Sequence, residues 1–413
     1  MMNPQMTLPP ERGARSEQVR QTNLSVLLSH LHEHGDTTRT DLGAASGLTR
    51  SAVGALVGEL QELGFVTEER SRSDGQPGRP SPLVRPLARN VVVAMEVLVD
   101  SIAVAVVGLG GVVLASAREI RPRRRQSPEK VVARLVAMTR SLLGEIGETD
   151  DTVVLFGVGV AVAGVVRRQT GVVAVAPNIG WVGVPLGDLV REALRLETPV
   201  EIGNDGDFGV LAESRRGVAA GLRDVVYISG EVGVGGGVLV GGRPLVGTAG
   251  FAGEVGHVPV RIDGVACNCG SSGCWETEVG EEALLRRVGR VPTGGLDAFR
   301  HVIADAASGD DAVLRALRDH GTWLGFGLAG IVNLFDPEMI VLGGHFTELF
   351  PYVEDSLASE LERRVFDVIR QQVAVAPARL GPDAPLLGAA ERVWDRALAD
   401  PAQAARSAVS TSV

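Results

Sequence analysis

One imidazole and three thiols lie close together in the second half of the chain. They have the spacing H-x9-C-x-C-x4-C and include all three cysteines of the 413-residue sequence: His257, Cys267, Cys269 and Cys274. An odd, tightly spaced set of cysteines favours metal ligation over a disulfide framework. Three thiolates and one imidazole complete a closed tetrahedral site, so we expect one structural Zn²⁺ per chain. A chance cluster of buried cysteines is the alternative.

Glycine-rich turns are a second feature that could do chemistry, because their backbone N–H groups can cradle phosphates. The longer run comprises Gly233, Gly235, Gly236 and Gly237, and a shorter one is Gly343-Gly344. Either run could equally be a tight hairpin or the start of a helix. The glycines alone are therefore weak evidence for a nucleotide site.

The first ninety residues have the pattern of a winged helix-turn-helix. Apolar residues at helical spacing predict three helices, with the tight turn Ser46-Gly47 before the third and a strand pair after it. Outward residues near the helix starts could reach base edges or phosphates, and Arg79, in a Pro-rich arm beyond the wing, suits a narrow minor groove. The expected DNA-contacting residues are Thr40, Thr49, Arg50, Ser51 and Arg79. A helical cap on a larger domain, followed by a plain linker, is the alternative.

Composition bounds the class of protein. A hydrophobic content of 45% with 22% charged residues is typical of globular domains. No apolar run is long enough for a membrane span, and the start lacks the apolar segment of a secretory signal, so we expect a cytoplasmic protein. The net charge is −10, yet residues 11–90 carry ten Arg against ten Asp and Glu. The N-terminal part is therefore free to present a local basic face.

Beyond residue 90, Val-rich strands alternate with amphipathic helices, which predicts an α/β domain. Within it, residues 252–276 (AGEVGHVPVRIDGVACNCGSSGCWE) closely resemble the signature of the ROK family of repressors, open reading frames and sugar kinases. Residues 18–80 resemble the DNA-binding domain of its repressor branch, and residues 90–397 its actin-like sugar-kinase domain. The resemblance implies a winged helix-turn-helix followed by a two-lobed, ribonuclease H-like domain.

These patterns divide the chain into segments. We expect a flexible N-terminus at 1–16, a DNA-binding domain at 17–72, and the wing end and linker at 73–89. The kinase-like domain follows at 90–397. Its first lobe spans about 90–204 plus a C-terminal helix, and its second about 205–380. The Ala- and Ser-rich tail, 398–413, is expected to be disordered.

The resemblance also implies a sugar pocket. Asn204-Asp205 is similar to the family's N-D-x-N motif, in which the Asn binds sugar and the Asp is the general base of the kinases. Here Asp207 replaces the last Asn. His257 would hold zinc with one nitrogen and face the sugar with the other. The sugar-contacting residues that the resemblance implies are Gly164, Asn178, Asn204, Asp205, Glu254, His257 and Glu276.

The first phosphate turn departs from the kinase pattern. Active members have D-x-G-G-T at the end of the first strand, where this chain has Glu96-Val97-Leu98-Val99-Asp100. Leu98 and Val99 would block the approach of a phosphate to the backbone. Asp100 would repel it, by roughly 4 kcal/mol for like charges about 4 Å apart at an effective dielectric near 20. We therefore expect no catalytic residue, although Asp205 matches the kinase base.

The sequence thus predicts a sugar-responsive transcriptional regulator. It would bind double-stranded operator DNA as a homodimer or a tetramer, take a sugar or sugar derivative as effector, and have no membrane partner. Two alternatives remain open: an active sugar kinase with an appended DNA-binding domain, and a kinase-like scaffold that binds another protein.

Overall fold

The structure is a computed structural model that describes residues 12–69, 81–123, 125–147 and 153–411. Its N-terminal unit is a winged helix-turn-helix, with a small sheet in the order β1-β3-β2. Its elements are α1 (Arg12–His34), β1 (Thr37–Thr38), α2 (Arg39–Ser46), α3 (Arg50–Glu62), β2 (Val66–Glu69) and β3 (Leu83–Pro86).

Side-chain caps and one left-handed glycine give this unit its helix-turn-helix geometry. The Thr38 hydroxyl accepts from Asp41 N at the start of α2, and the Thr49 hydroxyl accepts from Ala52 N at the start of α3. Between the two helices Gly47 adopts a φ of +70°, which only glycine takes at no cost. The apolar face predicted for α1 is completely buried: Leu24, Leu27, Leu28 and Leu31.

The first lobe is built on a sheet in the order β11-β7-β4-β5-β6, and a smaller sheet, β10-β9-β8, extends from it. The predicted hairpin near residue 90 is the antiparallel pair β4–β5. The lobe consists of β4 (Asn90–Val97), β5 (Ser101–Gly108), β6 (Val113–Ile120), α4 (Pro128–Gly147), β7 (Val153–Val162), β8 (Val165–Arg167), β9 (Val172–Ala176), β10 (Trp181–Val184), α5 (Leu186–Leu194) and β11 (Glu201–Asn204).

The second lobe has a five-stranded sheet in the order β14-β13-β12-β15-β16. Three short 3-10 turns (Val255–His257, Pro292–Gly294 and Gly381–Asp383) lie among the helices and strands that follow. These are α6 (Asp205–Arg216), β12 (Val225–Gly230), β13 (Val234–Val240), β14 (Arg243–Pro244), α7 (Glu276–Val279), α8 (Glu281–Arg287), α9 (Gly295–Ala307), α10 (Asp311–Phe335), β15 (Met339–Gly344), α11 (His345–Arg364), α12 (Asp367–Arg370) and β16 (Ala374–Pro377).

The chain then returns to the first lobe, where the structure corrects one prediction. The tail expected to be disordered forms the end of α13 (Ala384–Ala399), then α14 (Pro401–Ser407) and β17 (Val409–Thr411). The Asp400 carboxylate caps α14 by accepting from Gln403 N. β17 pairs with the start of β7, on residues that β11 leaves unpaired. Tertiary pairing therefore overrides the Ala- and Ser-rich composition.

The winged helix is not joined to the first lobe by a loose linker. Within the segment expected to be wing end and linker, β3 belongs to the small sheet, and the Asn90 side chain donates to Gly64 O at 2.8 Å. One apolar core runs from the leucines of α1 to Trp394 of α13. The helix α1 itself begins at Arg12, within the stretch expected to be flexible. Among the described helices, none is both long and apolar enough to cross a bilayer.

Candidate functional site

A cleft of about 770 Å³ opens between the two lobes. The β4–β5 turn, the β8–β10 sheet, the start of α6, the β12–β13 turn and the loop before α7 all contribute to its wall. The structure brings together on this one cleft all seven residues that the family resemblance implied for a sugar pocket: Gly164, Asn178, Asn204, Asp205, Glu254, His257 and Glu276.

Asn204 and Asp205 are held by the start of α6. The Asn204 side-chain oxygen accepts from the backbone N–H groups of Gly206 and Asp207, and its nitrogen donates to Gly164 O at 3.0 Å. Asp205 is 9% exposed and faces the cleft. Burial raises the pKa of Asp205 to about 7, and the nearby carboxylates of Glu231 and Glu254 add to the rise. Asp207, at the position of the motif's last Asn, pairs with Arg168 away from the cleft.

The four predicted zinc ligands converge at one edge of the cleft. Their ligand atoms all lie within 4.8 Å of one another. The Sγ atoms of Cys269 and Cys274 are 3.7 Å apart, as are Cys267 Sγ and His257 Nδ1. These separations match the edges of a tetrahedron with zinc–ligand bonds of about 2.0–2.3 Å. Burial raises the pKa of the Cys267 thiol, so a thiolate there needs a compensating cation, and the donor set fits zinc.

Glu276 connects the cysteine cluster to the cleft. Its Oε1 accepts from Cys267 Sγ at 2.8 Å and lies 3.6 Å from His257 Nδ1. Its Oε2 accepts from Val234 N, in the glycine-rich turn. His257 also lines the cleft. A change in the positions of the cysteine side chains would therefore alter the contacts of two cleft residues, His257 and Glu276.

Leu98, Val99 and Asp100 also line the cleft. The Asp100 carboxylate, however, forms an ion pair with Arg123. Its Oδ2 lies 2.9 Å from Arg123 Nη2, and Arg123 also forms a two-pronged ion pair with Glu281 of the second lobe. The repulsion expected from Asp100 is correspondingly weaker, because its negative charge is compensated.

Glu231 is a cleft residue that the sequence analysis missed. It stands in the β12–β13 turn, where burial raises its pKa and Asp100 and Glu281 act in the same direction. A charged residue inside a glycine-rich run was the signal that could have identified it. Its carboxyl group therefore adds a further acidic side chain to the cleft wall, beside Asp205, Glu254 and Glu276.

The glycines of the two candidate phosphate turns have different surroundings. Gly233 and Gly235 line the cleft. Gly236 lies in β13, where an added Cβ would come within 2.5 Å of a Val255 methyl group. Gly343 and Gly344 end β15, and an added Cβ would approach Tyr227 and Gly230 O within 2.4 Å. These last three glycines thus allow close packing between neighbouring elements.

Four of the five predicted DNA-contacting residues lie in the described part of the winged helix. Thr40, Thr49, Arg50 and Ser51 are all exposed at the starts of α2 and α3. Among the described residues Arg50 makes no ion pair, whereas neighbouring Arg39 is engaged by Glu68 of the wing. Arg79 lies outside the described residues.

Fold and site together define a class of protein: a winged helix-turn-helix packed on a two-lobed, sugar-kinase-like domain. Residues 92–396 match the model of the ROK family, and residues 25–76 match that of the MarR family. The chain belongs to the ROK family. Its N-terminal unit is a MarR-type winged helix.

Comparison with known proteins finds similarity both to transcriptional regulators and to sugar kinases. The chain is 29% identical to the xylose repressor of Bacillus subtilis (strain 168), over 92% of this chain and 97% of the repressor. It shares its fold with a ROK family transcriptional regulator, a homolog of the E. coli MLC protein. That match has a TM-score of 0.77 and 24% identity, and covers 94% of this chain and 99% of that one. A ROK glucokinase from Streptomyces griseus, in complex with glucose and AMPPNP, matches with a TM-score of 0.63 and 30% identity. It covers 73% of this chain and 98% of the kinase.

Proposed function

We propose that this protein is a sugar-responsive, DNA-binding transcriptional regulator, most simply a repressor of genes for carbohydrate uptake or breakdown. The main support for this proposal is that one molecule contains both a winged helix and a cleft of the sugar-kinase type. A winged helix, exposed at the starts of α2 and α3, shares its core with a ROK domain whose cleft is lined by the seven residues that the family resemblance implies for a sugar. The match to the xylose repressor covers 92% of this chain, so it extends over both the winged helix and the ROK domain.

The DNA-binding role rests on the start of α3. Thr49, Arg50 and Ser51 are exposed there, where a recognition helix presents its N-terminal residues to the major groove. The regulator would act as a homodimer on a palindromic operator, since two-fold symmetric proteins bind two-fold symmetric sites. Arg79 would enter the adjacent minor groove.

The effector role rests on the chemistry of the cleft. Carboxylates accept hydrogen bonds from vicinal hydroxyl groups, and Asp205, Glu254 and Glu276 stand on the cleft with the amide of Asn178. Zinc bound by His257 and the three cysteines would fix the loop that carries Glu276. The metal would supply structure and not chemistry, because four protein ligands leave no open position.

We propose further that the protein does not phosphorylate its sugar. Leu98 and Val99 present side chains where a phosphate must approach backbone N–H groups, and Glu231 adds a carboxylate at the same end. The Arg123–Asp100 pair lowers the electrostatic barrier but also occupies an arginine that could otherwise hold a phosphate. Asp205 would then serve to hold a sugar hydroxyl.

An active kinase is the second candidate function, and one observation favours it. A carboxyl with a pKa of about 7, as burial gives Asp205, is well suited to act as a general base at neutral pH. Incubation with labelled ATP and a panel of hexoses and pentoses separates the two. We expect no sugar phosphate above a no-protein control, and calorimetry should show that Asp205→Ala abolishes sugar binding. Multiple turnovers that vanish in Asp205→Ala would establish the kinase.

DNA binding itself is tested by selection. The purified protein is incubated with a pool of random duplexes at 150 mM salt, and the bound fraction is sequenced through successive rounds. We expect enrichment of a palindromic sequence, whose two halves are spaced by about one helical turn or a multiple of it. A pool that stays random would contradict the proposed function.

A further inference from the structure

The helix that carries Asp205 into the cleft also reaches the DNA-binding unit. α6 begins at Asp205 and ends at Arg216, about 18 Å further on for 12 residues at about 1.5 Å each. At that end the Arg216 guanidinium lies against His32 of α1. Its Nη2 donates to His32 O at 3.2 Å, and its Nη1 donates to Gly110 O, in the turn after β5, at 3.0 Å. One helix thus touches the sugar cleft at one end and the winged helix at the other.

His32 is enclosed in this contact, with 1% of its surface exposed. Its Nδ1 accepts from Gly110 N at 3.0 Å, which leaves Nε2 to donate to the Glu391 carboxylate of α13 at 3.1 Å. Glu391 is also buried and accepts from both Arg215 and Arg216. A single carboxylate therefore joins α1, α6 and α13.

The first turn of α6 is tightly packed against both β13 and α13. A Cβ added to Gly206 would lie 2.4 Å from Gly236 O in β13, next to the cleft residue Gly235. On the opposite side, a Cβ added to Gly388 of α13 would lie 1.8 Å from Phe208 O. Backbone packed against backbone contains no flexible side chain that could absorb a shift. A movement of the glycine turn or of Asp205 is therefore passed to Arg216.

We propose that α6 is the rigid element through which the sugar cleft controls the DNA-binding unit, with Arg216 and His32 as its point of contact. The inference rests on the proposed function and deepens it. A ligand shifts a conformational equilibrium only as far as its contacts differ between the two states. A sugar bound to Asp205 and DNA bound to the winged helix both bias the position of the same helix, which is the physical requirement for coupling.

The adjacent Arg215 provides a matched control. It belongs to the same turn of α6 and pairs with Glu391 and Asp395, but no hydrogen bond or ion pair joins it to the part of α1 whose side chains the structure describes. Gly111 offers an independent way to disturb Arg216: an added Cβ would lie 2.1 Å from the guanidinium carbon. Gly111→Ala therefore displaces the arginine without removing its charge.

The test compares the operator affinity of the full chain with and without sugar. The duplex is one selected by the wild-type protein from a random pool, and the sugar is D-xylose, D-glucose or whichever monosaccharide of the panel calorimetry finds bound. In Arg216→Ala we expect the sugar-induced change in operator Kd to fall to less than about a third of the wild-type change. The Kd for sugar and the Kd for sugar-free operator should both stay within about threefold. Arg215→Ala should retain the change.

The outcomes separate the two levels of the proposal. If no bound sugar changes the operator Kd of the wild-type protein, the proposed function is contradicted. A wild-type response that survives in Arg216→Ala, or that is lost equally in Arg215→Ala, overturns the role of α6 alone. If Arg216→Ala does not fold, Gly111→Ala must show the same loss. His32→Gln must keep the response, because glutamine can accept from Gly110 and donate to Glu391.

Discussion

At the scale of single residues, His257 and Glu276 stand at the junction of two sites. Both line the cleft, and both lie within 4 Å of the cysteine cluster. A metal ion there would fix the ring orientation of His257 and remove the thiol hydrogen that Cys267 now donates to Glu276. Occupancy of the cluster should therefore decide whether the two side chains are placed to hold a sugar.

We expect one zinc ion per chain in protein purified without added metal. Cys269→Ser should lose it and weaken sugar binding at least about tenfold, since a tetrahedral site missing one thiolate no longer fixes the loop. Ser271→Ala, on the same loop but not a ligand, is the control and should keep both. Elemental analysis and calorimetry measure the two quantities. Zinc well below one per chain, with sugar binding unaffected by a chelator, would refute this role.

The sequence could predict the cysteine cluster because its ligands are near neighbours in the chain. It could not predict that Arg123 compensates Asp100, because the residues come from different loops and Glu281 from the other lobe. Nor could it place His32, Arg216 and Glu391 together, since they are far apart in sequence and each alone resembles an ordinary surface residue. Ion pairs of this kind depend on tertiary packing, and no spacing rule encodes them.

At the scale of secondary structure elements, α3 is the proposed DNA-recognition helix. Thr49 fixes its first turn by accepting from Ala52 N, which presents Arg50 and Ser51 to solvent. Helical periodicity and capping residues predicted α1 to α3 because these signals are local. They did not predict α14 and β17, whose order comes from pairing with β7.

Arg50→Ala should weaken operator binding by about 1–3 kcal/mol if Arg50 contacts a base, and the loss should be confined to particular operator positions. A loss that is uniform over sequences, with a shallower salt dependence, would mark a phosphate contact instead. Arg20→Ala is the control, because Arg20 is exposed on α1 but engaged by Glu59. Fluorescence anisotropy against single-base operator variants measures both. Unchanged binding in Arg50→Ala would show that the recognition surface lies elsewhere.

The helices α1, α6 and α13 meet at Glu391. Although burial opposes ionisation, the hydrogen bond from His32 and the charge and hydrogen bond of Arg216 lower the pKa of Glu391 to about 2. The pKa of a glutamate in the unfolded chain is near 4.3. The ionised carboxylate therefore stabilises the fold fully above about pH 4.3, and this stabilisation is lost as the pH falls toward 2. Removing the charge leaves the guanidinium groups of Arg215 and Arg216 without the carboxylate that they share.

Glu391→Gln should therefore lower the free energy of unfolding by about 3–5 kcal/mol near pH 7. The difference from wild type should shrink as the pH is lowered from 5 to 3. Glu201→Gln is the control: Glu201 pairs with half-exposed arginines, and its loss should have an effect of about 1 kcal/mol or less. Urea denaturation at several pH values gives both differences. Equal effects of the two substitutions would show that Glu391 does not hold the three helices together.

At the scale of the whole molecule, the winged helix and the first lobe share one core, so the DNA-binding unit is not free to move independently. The aromatic rings of Phe65, Phe156 and Trp394 follow one another across this boundary, with centroids 5.0 and 5.6 Å apart. A change in the angle between the lobes must then alter the placement of the recognition surface. This continuity was not predictable from the sequence, because it arises from apolar residues that every domain contains.

The central claim is that sugar alone, without phosphoryl transfer, changes the affinity for DNA. The most direct measurement is a titration of the wild-type protein into a fluorescent operator duplex without ATP, repeated with each monosaccharide that calorimetry shows to bind. We predict that at least one of them changes the operator Kd about fivefold or more, and that adding ATP leaves this change as it was. Two results would contradict this claim. In one, no bound sugar changes the operator Kd; in the other, the Kd changes only when ATP is present and sugar phosphate accumulates.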